Sequence, residues 1–511
     1  MTHNQEIDMT LDERLVQIRP SKRQLEHQKL EFYAFVHFTV NTFTDKEWGD
    51  GTENPAIFNP VKMDARQWCK AIKTAGMKGL ILTCKHHDGF CLWPSKYTKH
   101  TVAASPYKNG HGDIVREVSD ACREFGLKFG VYLSPWDRNC KLYGQGKAYD
   151  DFFVNQLTEL LTNYGNIFSV WFDGACGEGP NGKKQIYDFE RYYSVIRKLQ
   201  PNACISVCGP DVRWCGNEAG HCRKSEWSVV PARTKDTEII KEQSQHEDSK
   251  EFRERKISAS DQDLGSREIL QNEKELIWYP AEVNTSIRPG WFYHEYENDK
   301  VKSLEELTNI YFNSVGGNAT FLLNIPPAPD GLFHKNDIQR LQELGDFLQK
   351  EFSNPIKELN QDEIQTLLQW DGKNFILQID LEAAKNSSIS EKYTSSPQED
   401  FLSTKPKYII IQEDIEQSQR VESFEISDKN NTTLYQGTTI GYKKIIRLQN
   451  PTTCTTTNDG TCNKEASSAF TPPSNNSCKQ KAPPALTPTN QIILKITDCR
   501  CEPKLLNLKI Y

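Results

Sequence analysis

No stretch of this sequence approaches the roughly 20 consecutive apolar residues that a membrane-spanning helix needs, so a helical membrane span is not expected. The polar opening MTHNQEIDMTLDERLVQ lacks the apolar segment of a signal peptide. That points to the cytoplasm, or to a lysosomal or secreted destination if the chain starts further upstream. There is no excess of positive charge either. Sixty-two Lys and Arg face 69 Asp and Glu, a net charge of −7, which argues against a polyanion such as nucleic acid as partner. The 15 cysteines show no zinc-ligand spacing and read as free thiols. Sequons at Asn284, Asn318, Asn386, Asn430, Asn431 and Asn475 would matter only in a secretory compartment. Internal repeats are missing, and nothing in the sequence speaks to oligomeric state.

What is present is enough apolar material for a large core, at 37% of residues, with ten Trp, 19 Tyr and 24 Phe. Such rings suit stacking on the apolar face of a sugar as well as packing. At 511 residues, two domains are expected. From residue 32 short β-rich runs alternate with amphipathic helical stretches, the rhythm of βα units. Strands are expected at 32–38, 79–84, 127–134, 166–173, 203–208, 276–283 and 319–325, with helices from Asp64 to Gly76 and over 113–124, 149–163, 187–199 and 337–351. Runs apolar throughout are buried on both faces, which predicts a parallel sheet covered by helices, closed as a TIM-like (β/α) barrel over residues 1–352. After Pro355 short strands rich in Ile, Val and Thr, such as PKYIIIQ and RVESFEI, predict an all-β sandwich over 353–511. A charged stretch at 233–274 reads as a surface insertion on a barrel loop, and the Thr/Pro/Asn-rich 451–489 as a disordered excursion.

Barrel enzymes assemble their sites at the C-terminal ends of the strands. Five polar clusters fall there: His37, KHHDGF (85–90), SPWDR (134–138), Asp173 with Gly174, and WCGNEAG (214–220) placed after the fifth strand. Asp173 ends an apolar strand beside Trp171 and Phe172; a helix-capping Asp is the plain alternative. Glu218 stands on the next βα unit, where many exposed glutamates would look the same. Two carboxylates across one pocket suit glycosidic bond cleavage, one attacking or stabilising the oxocarbenium-like centre and the other protonating the leaving oxygen. A gap of about 5 to 5.5 Å gives retention, and roughly 6.5 to 9.5 Å admits water and gives inversion. Trp214 is a candidate wall that would help Glu218 keep its proton. His86 and His87 reach one metal ion only if the backbone bends, so sugar hydroxyls suit them better and no metal or cofactor is expected. Glu47 and Trp48 offer a carboxylate beside an aromatic platform, or an ordinary packed loop, and Tyr132 lies inside its strand as a core residue or a site residue.

The segments HFTVNTFTDKEWGDGTENPAIFNP, CKHHDGFCLWPSKYT, VWFDGACGEG, WCGNEAG, WYPAEVNTSIRPGWFYH and GGNATFLLNIPPAPDG together resemble the α-L-fucosidases of glycoside hydrolase family 29, in particular the branch acting on α-1,3 and α-1,4 linked fucose. The resemblance covers nearly the whole chain. It implies a barrel followed by an accessory β-sandwich, a fucosylated oligosaccharide or glycoprotein glycan as partner, and no cofactor. Residue by residue, it implies Asp173 as nucleophile and Glu218 as acid/base. It puts His37, Glu47, Trp48, His86, His87, Tyr132 and Trp171 around the fucose, and Asn284, Arg288 and Trp291 near the neighbouring sugar. Thr39 stands where the motif usually has Gly and could alter the pocket floor. A catalytically silent fucose-binding barrel is the competing expectation. A barrel hydrolase of another sugar and a metal-dependent hydrolase built on His86, His87 and Asp88 are weaker ones.

Overall fold

The structure is a computed structural model. It describes residues 9–236, 263–381, 406–448 and 490–511, together with Glu242, Ser249 and Glu251. The excursion at 451–489, Asn386, Asn475 and most of the insertion at 233–274 lie outside the described residues.

Eight parallel strands form the first unit: β1 (Phe32–Val36), β2 (Gly79–Lys85), β3 (Lys128–Leu133), β4 (Ile167–Phe172), β5 (Cys204–Val207), β6 (Arg213–Trp214), β7 (Ala281–Ser286) and β8 (Ala319–Asn324). They run side by side in the order β5-β4-β3-β2-β1-β8-β7-β6. A bridge between Ser206 and Val212, with the Val207 N–H donating to the Val212 carbonyl at 3.0 Å, links β5 to the entry of β6 and completes the ring. Helices α1 (Ala65–Thr74), α2 (Ile114–Phe125), α3 (Lys147–Asn163), α4 (Phe189–Leu199), α5 (Leu304–Ser314) and α6 (Lys335–Phe352) alternate with these strands. Local chemistry fixes where they start. The Asp64 carboxylate accepts from the Arg66 and Gln67 amides and Asp113 from the Arg116 amide, satisfying N–H groups that a helix N-terminus leaves open. Strands such as GLILTCK are buried at every position, as a sheet covered on both faces requires.

The second unit has two antiparallel sheets. One pairs β9 (Lys357–Asn360), β17 (Leu505–Ile510), β12 (Tyr408–Glu413) and β15 (Lys444–Arg447) in that order. The other pairs β10 (Gln369–Trp370), β11 (Phe375–Asp380), β16 (Gln491–Cys499), β13 (Val421–Asp428) and β14 (Thr433–Gly437). Alternate residues Leu377, Ile379, Ile409, Ile411, Phe424, Ile426, Leu494 and Ile496 form its own core. It docks on the barrel through Phe312, Tyr408, Ile410 and Ile445, through Lys443 on Glu31 and through the Tyr442 amide on Asn318. Glu31 and Asn318 precede β1 and β8, so these contacts sit at the end of the barrel opposite the strand C-termini.

Two expectations need correction. The run at 276–283 is not one strand: Pro280 interrupts it, Leu276–Trp278 pairs antiparallel with Val229–Pro231, and the barrel strand starts at Ala281. WCGNEAG does not follow the fifth strand but begins inside a two-residue sixth strand, too short to show as a periodic run, so Glu218 lies one strand further round the ring. Among the described residues all cysteines are free thiols. Of the sequons, Asn284 and Asn318 are buried, which closes them to glycosylation.

Candidate active site

A cavity open to solvent sits at the C-terminal ends of the barrel strands, with about 600 Å³ of empty space when the open solvent at its mouth is counted. Phe35, His37, Glu47, Trp48, His86, His87, Trp171, Asp173, Gly174, Ala175, Val207, Trp214, Glu218, Asn284 and Trp291 line it. Eleven of the thirteen residues singled out from the sequence are therefore brought together.

Asp173 directly follows β4, whose buried apolar residues pin the backbone that carries it, and Gly174 and Ala175 continue along the cavity wall. Its Oδ1 accepts the Ala175 amide at 2.7 Å and its Oδ2 the Tyr132 hydroxyl at 3.0 Å. Tyr132 does not line the cavity; it is a buried strand residue whose polar tip touches the carboxylate from behind. Glu218 arrives from the loop after β6, with its Oε2 accepting the Trp291 indole N–H at 3.0 Å. The Trp214 indole donates to the Asn284 side chain at 2.9 Å, so both tryptophans are oriented through their nitrogens and leave ring faces to the cavity.

The three histidines are held as neutral rings. Burial pushes His37 and His87 down to about 4 and His86 well below its usual value. Their tautomers follow from the hydrogen bonds. Ser134 gives its hydroxyl proton to the Trp136 carbonyl at 2.7 Å, so at 2.7 Å its oxygen accepts from His87 Nδ1–H. That leaves His87 Nε2 with a lone pair, 3.8 Å from Asp173 Oδ2. Asn324 gives its Nδ2 protons to Ser286 and the Trp291 carbonyl, so its Oδ1 accepts from His37 Nδ1–H at 2.9 Å. Both rings thus present an acceptor nitrogen, the complement of a hydroxyl donor. His86 and His87 do not diverge as neighbours on a strand would. The chain turns after Lys85, with the Gly89 amide closing on the His86 carbonyl at 3.0 Å, and the two rings lie 4.1 Å apart. Gly89 adopts a φ of +78°, and a Cβ there would meet the Asp137 carboxylate at 2.5 Å, so the turn requires glycine.

Glu47 reaches the cavity and also staples the segment that carries Trp291. It accepts the Trp291 and Phe292 amides at 2.8 and 3.0 Å and His294 Nε2–H at 2.8 Å. Burial disfavours charge on His294, but its bonds to Glu47 and Asp45 outweigh that and raise it to about 9.

Arg288 departs from expectation. It is fully buried away from the cavity, with Nε donating to both oxygens of Asp337 at 3.0 Å and its guanidinium over the Tyr293 ring. It ties the loop after β7 to the start of α6, and a guanidinium this buried would leave two unpaired charges if it let its carboxylate go. Thr39 is likewise no pocket floor; its hydroxyl donates to Asp88 Oδ2 at 2.9 Å. Asp88, held by Thr39 and the Phe90 amide, is turned away from the histidine pair.

Sequence reasoning missed Ser134, Asn324, His294 and Glu282. Ser134 lay in a flagged cluster and Asn324 and His294 in quoted motifs, but their task is to orient other side chains, which no local pattern reveals. Glu282 had a visible signal: an acid inside the apolar run LIWYPAEV. It is fully buried, accepts the Trp171 indole N–H at 2.7 Å and the Tyr33 hydroxyl, and is pushed up to about 7 by burial. Trp171 stacks on Tyr132 at 5.3 Å, so a continuous line of contacts runs from Glu282 to Asp173.

Comparison with known proteins bears on what this cavity serves. The sequence profile of the α-L-fucosidase family matches residues 20–352. Alpha-L-fucosidase 1 of Arabidopsis thaliana is 40% identical over 446 residues, 84% of this chain and 82% of its own. A Bacteroides ovatus crystal structure, provisionally named an α-L-fucosidase, shares 40% identity with a TM-score of 0.77, over 99% of this chain and 76% of that one. A Ruminococcus gnavus family 29 fucosidase solved in complex with fucose gives 28% identity and a TM-score of 0.72, over 97% of this chain and 95% of that one. A barrel ending in a carboxylate-lined cavity and a profile match across that whole barrel agree, and the chain belongs to the α-L-fucosidase family of glycoside hydrolases, family 29.

Proposed function

We propose that the protein is a retaining exo-α-L-fucosidase that removes terminal α-1,3 or α-1,4 linked L-fucose from oligosaccharides or glycoproteins, with Asp173 as nucleophile and Glu218 as acid/base. The observation that carries this reading is that both carboxylates line one cavity, each accepting hydrogen bonds from neutral donors. In the first step an Asp173 oxygen attacks the anomeric carbon while Glu218 gives its proton to the leaving glycosidic oxygen, forming a fucosyl-Asp173 ester. In the second, Glu218 takes a proton from water, whose oxygen attacks the same carbon and frees Asp173. The Trp291 N–H on Glu218 Oε2 directs the transferable proton to Oε1.

The acceptor nitrogens of His37 and His87 and the carboxylate of Glu47 suit sugar hydroxyls, while Phe35 and Trp171 suit the apolar face and methyl group of a 6-deoxy sugar. Trp214 and Trp291 flank Glu218, on the leaving-group side, and support the linkage reading by offering two indole faces to the sugars of a branched glycan. Incubation with fucosylated type 1, type 2 and 2′-linked oligosaccharides tests this. Fucose is expected from the first two, and its first-formed anomer by NMR is α. Release from the 2′-linked glycan alone removes the linkage assignment, and a β first product removes the covalent route.

A further inference from the structure

One arrangement in the cavity exceeds what a sugar requires. Ligand atoms of His86, His87 and Asp173 all lie within 4.8 Å of one another, two of the three residues being buried. Imidazole, imidazole and carboxylate form a common donor set for zinc and its neighbours.

We propose that His86, His87 and Asp173 form a binding site for a divalent transition metal, filled best by Zn²⁺ or Cu²⁺, and that the bound ion inhibits the enzyme by occupying the fucose cavity. Three observations carry it. The first is the closeness of the donors: His87 Nε2 and Asp173 Oδ2 are 3.8 Å apart. Two ligands of a tetrahedral zinc ion, each about 2.0 to 2.2 Å from the metal, stand about 3.4 Å apart, so a shift of about half an ångström closes the pair. The second is preparation. His87 Nδ1 is tied to Ser134 Oγ at 2.7 Å, whose own proton is spent on the Trp136 carbonyl, so the Nε2 lone pair already points at the site. Tyr132 donates to Asp173 at 3.0 Å. Outer hydrogen bonds of this kind are what orient the ligands of metal centres. The third is His86, whose ring centre lies 4.1 Å from that of His87 and one of whose ring nitrogens falls within 4.8 Å of the other two donors.

The chemistry also sets selectivity. Mg²⁺ and Ca²⁺ demand six or more oxygen ligands and gain little from two imidazoles, whereas affinity for nitrogen donors rises toward Cu²⁺. A metal bonded to Asp173 withholds the oxygen lone pair from the anomeric carbon and fills the space of the sugar. Inhibition is therefore competitive with fucoside and reversed by a chelator. The inhibition rests on the hydrolytic reading above, but the binding does not.

The test separates the two. Zn²⁺ is titrated calorimetrically into the full-length protein and into Asp173→Asn, His87→Ala and Ser134→Ala, each first checked for an unchanged thermal midpoint, and the Co²⁺ absorption spectrum is recorded. Wild type is expected to bind one Zn²⁺. The first two substitutions weaken it at least tenfold, and Ser134→Ala, which frees the His87 tautomer, weakens it by about tenfold. Co²⁺ gives visible bands of nitrogen and oxygen ligation. Equal affinity in wild type and Asp173→Asn would place the metal elsewhere, a thiolate-to-cobalt charge-transfer band would assign it to cysteines, and either result overturns the site. Should His87→Ala fail to fold, Asp173→Asn at the partly exposed cavity wall still decides.

Discussion

Asp173 and Asp337 stand at the same end of the barrel, yet they are held by partners of different kind. Asp337 is fully buried against the Arg288 guanidinium, and Asp137 nearby is buried against the Lys85 ammonium at 2.9 Å. Asp173 is partly exposed and accepts a phenol O–H and a peptide N–H, with Nε2 of the neutral His87 ring 3.8 Å away. A cation cancels the charge of its carboxylate and locks it into the scaffold. Neutral donors orient a carboxylate without cancelling its charge, which leaves it able to meet positive charge developing on a substrate. On the proposed mechanism the same chemical group serves as strut in one place and as reagent in the other, and the difference lies in what stands behind it.

The contrast is broken most severely by removing the proposed nucleophile. Asp173→Ala is expected to lower kcat by on the order of a thousandfold or more with little loss of stability, since no ester can form. Turnover of an aryl fucoside within tenfold of wild type would show that another group attacks. Glu218→Ala sharpens the comparison differently. A natural glycan, with a poor leaving group, should lose roughly a hundredfold to ten-thousandfold in rate, and an aryl fucoside with a good leaving group far less. Equal losses on both substrates would move the acid elsewhere.

The struts were the less legible of the two in the sequence. Asp173 could be found because an apolar strand ends there, and His86, His87, Glu47 and Trp48 because polar and aromatic residues cluster past strand ends. Arg288 was drawn into the site by its motif, although a buried guanidinium seeks a carboxylate, and Asp337 is 49 residues away. Long-range pairing of that sort leaves no periodic trace. The two-residue β6 hid for a related reason: its place in the ring comes from pairing with β7, not from its own composition. The turn that aligns His86 with His87 depends on backbone sign at Gly89, which the strand rule of alternating faces could not supply.

Removing a strut should cost stability before activity. Arg288→Ala leaves Asp337 buried and unpaired, and about 3 to 5 kcal/mol of folding free energy is expected to go. Denaturant unfolding checks this, alongside KM for an aryl fucoside, which should change less than threefold in folded enzyme. A KM raised more than tenfold at unchanged stability would return Arg288 to the substrate. Glu282 lies between the two kinds: buried without a cation, it is pushed up to about 7 and supports Trp171. Gln is the isostere of its neutral form, so Glu282→Gln should keep activity within about threefold, whereas Glu282→Leu, which strands the Trp171 N–H, should cost about 1 to 3 kcal/mol and raise KM. If Leu and Gln behave alike, the hydrogen bond to Trp171 is without consequence for the cavity.

His294 offers the smallest and most pH-bound test, because here a strut acts directly on the site. Its imidazolium joins Asp45 at 2.5 Å to Glu47 at 2.8 Å and holds the segment whose Trp291 touches Glu218. Its folded value of about 9 lies above that of the free side chain, near 6.5. The pairing therefore contributes its full stability below pH ~6.5 and loses it as pH rises through about 9. Asp45 is 65% exposed, and solvent screening trims the effect to about 1 kcal/mol. The difference in stability between wild type and His294→Gln should be largest near pH 6 and shrink toward pH 10, measured by denaturant midpoint at each pH so that titrations common to both chains cancel. A difference that stays constant across that range would mean that His294 holds the loop as a neutral ring, and that the clamp on Glu47 is packing and not charge.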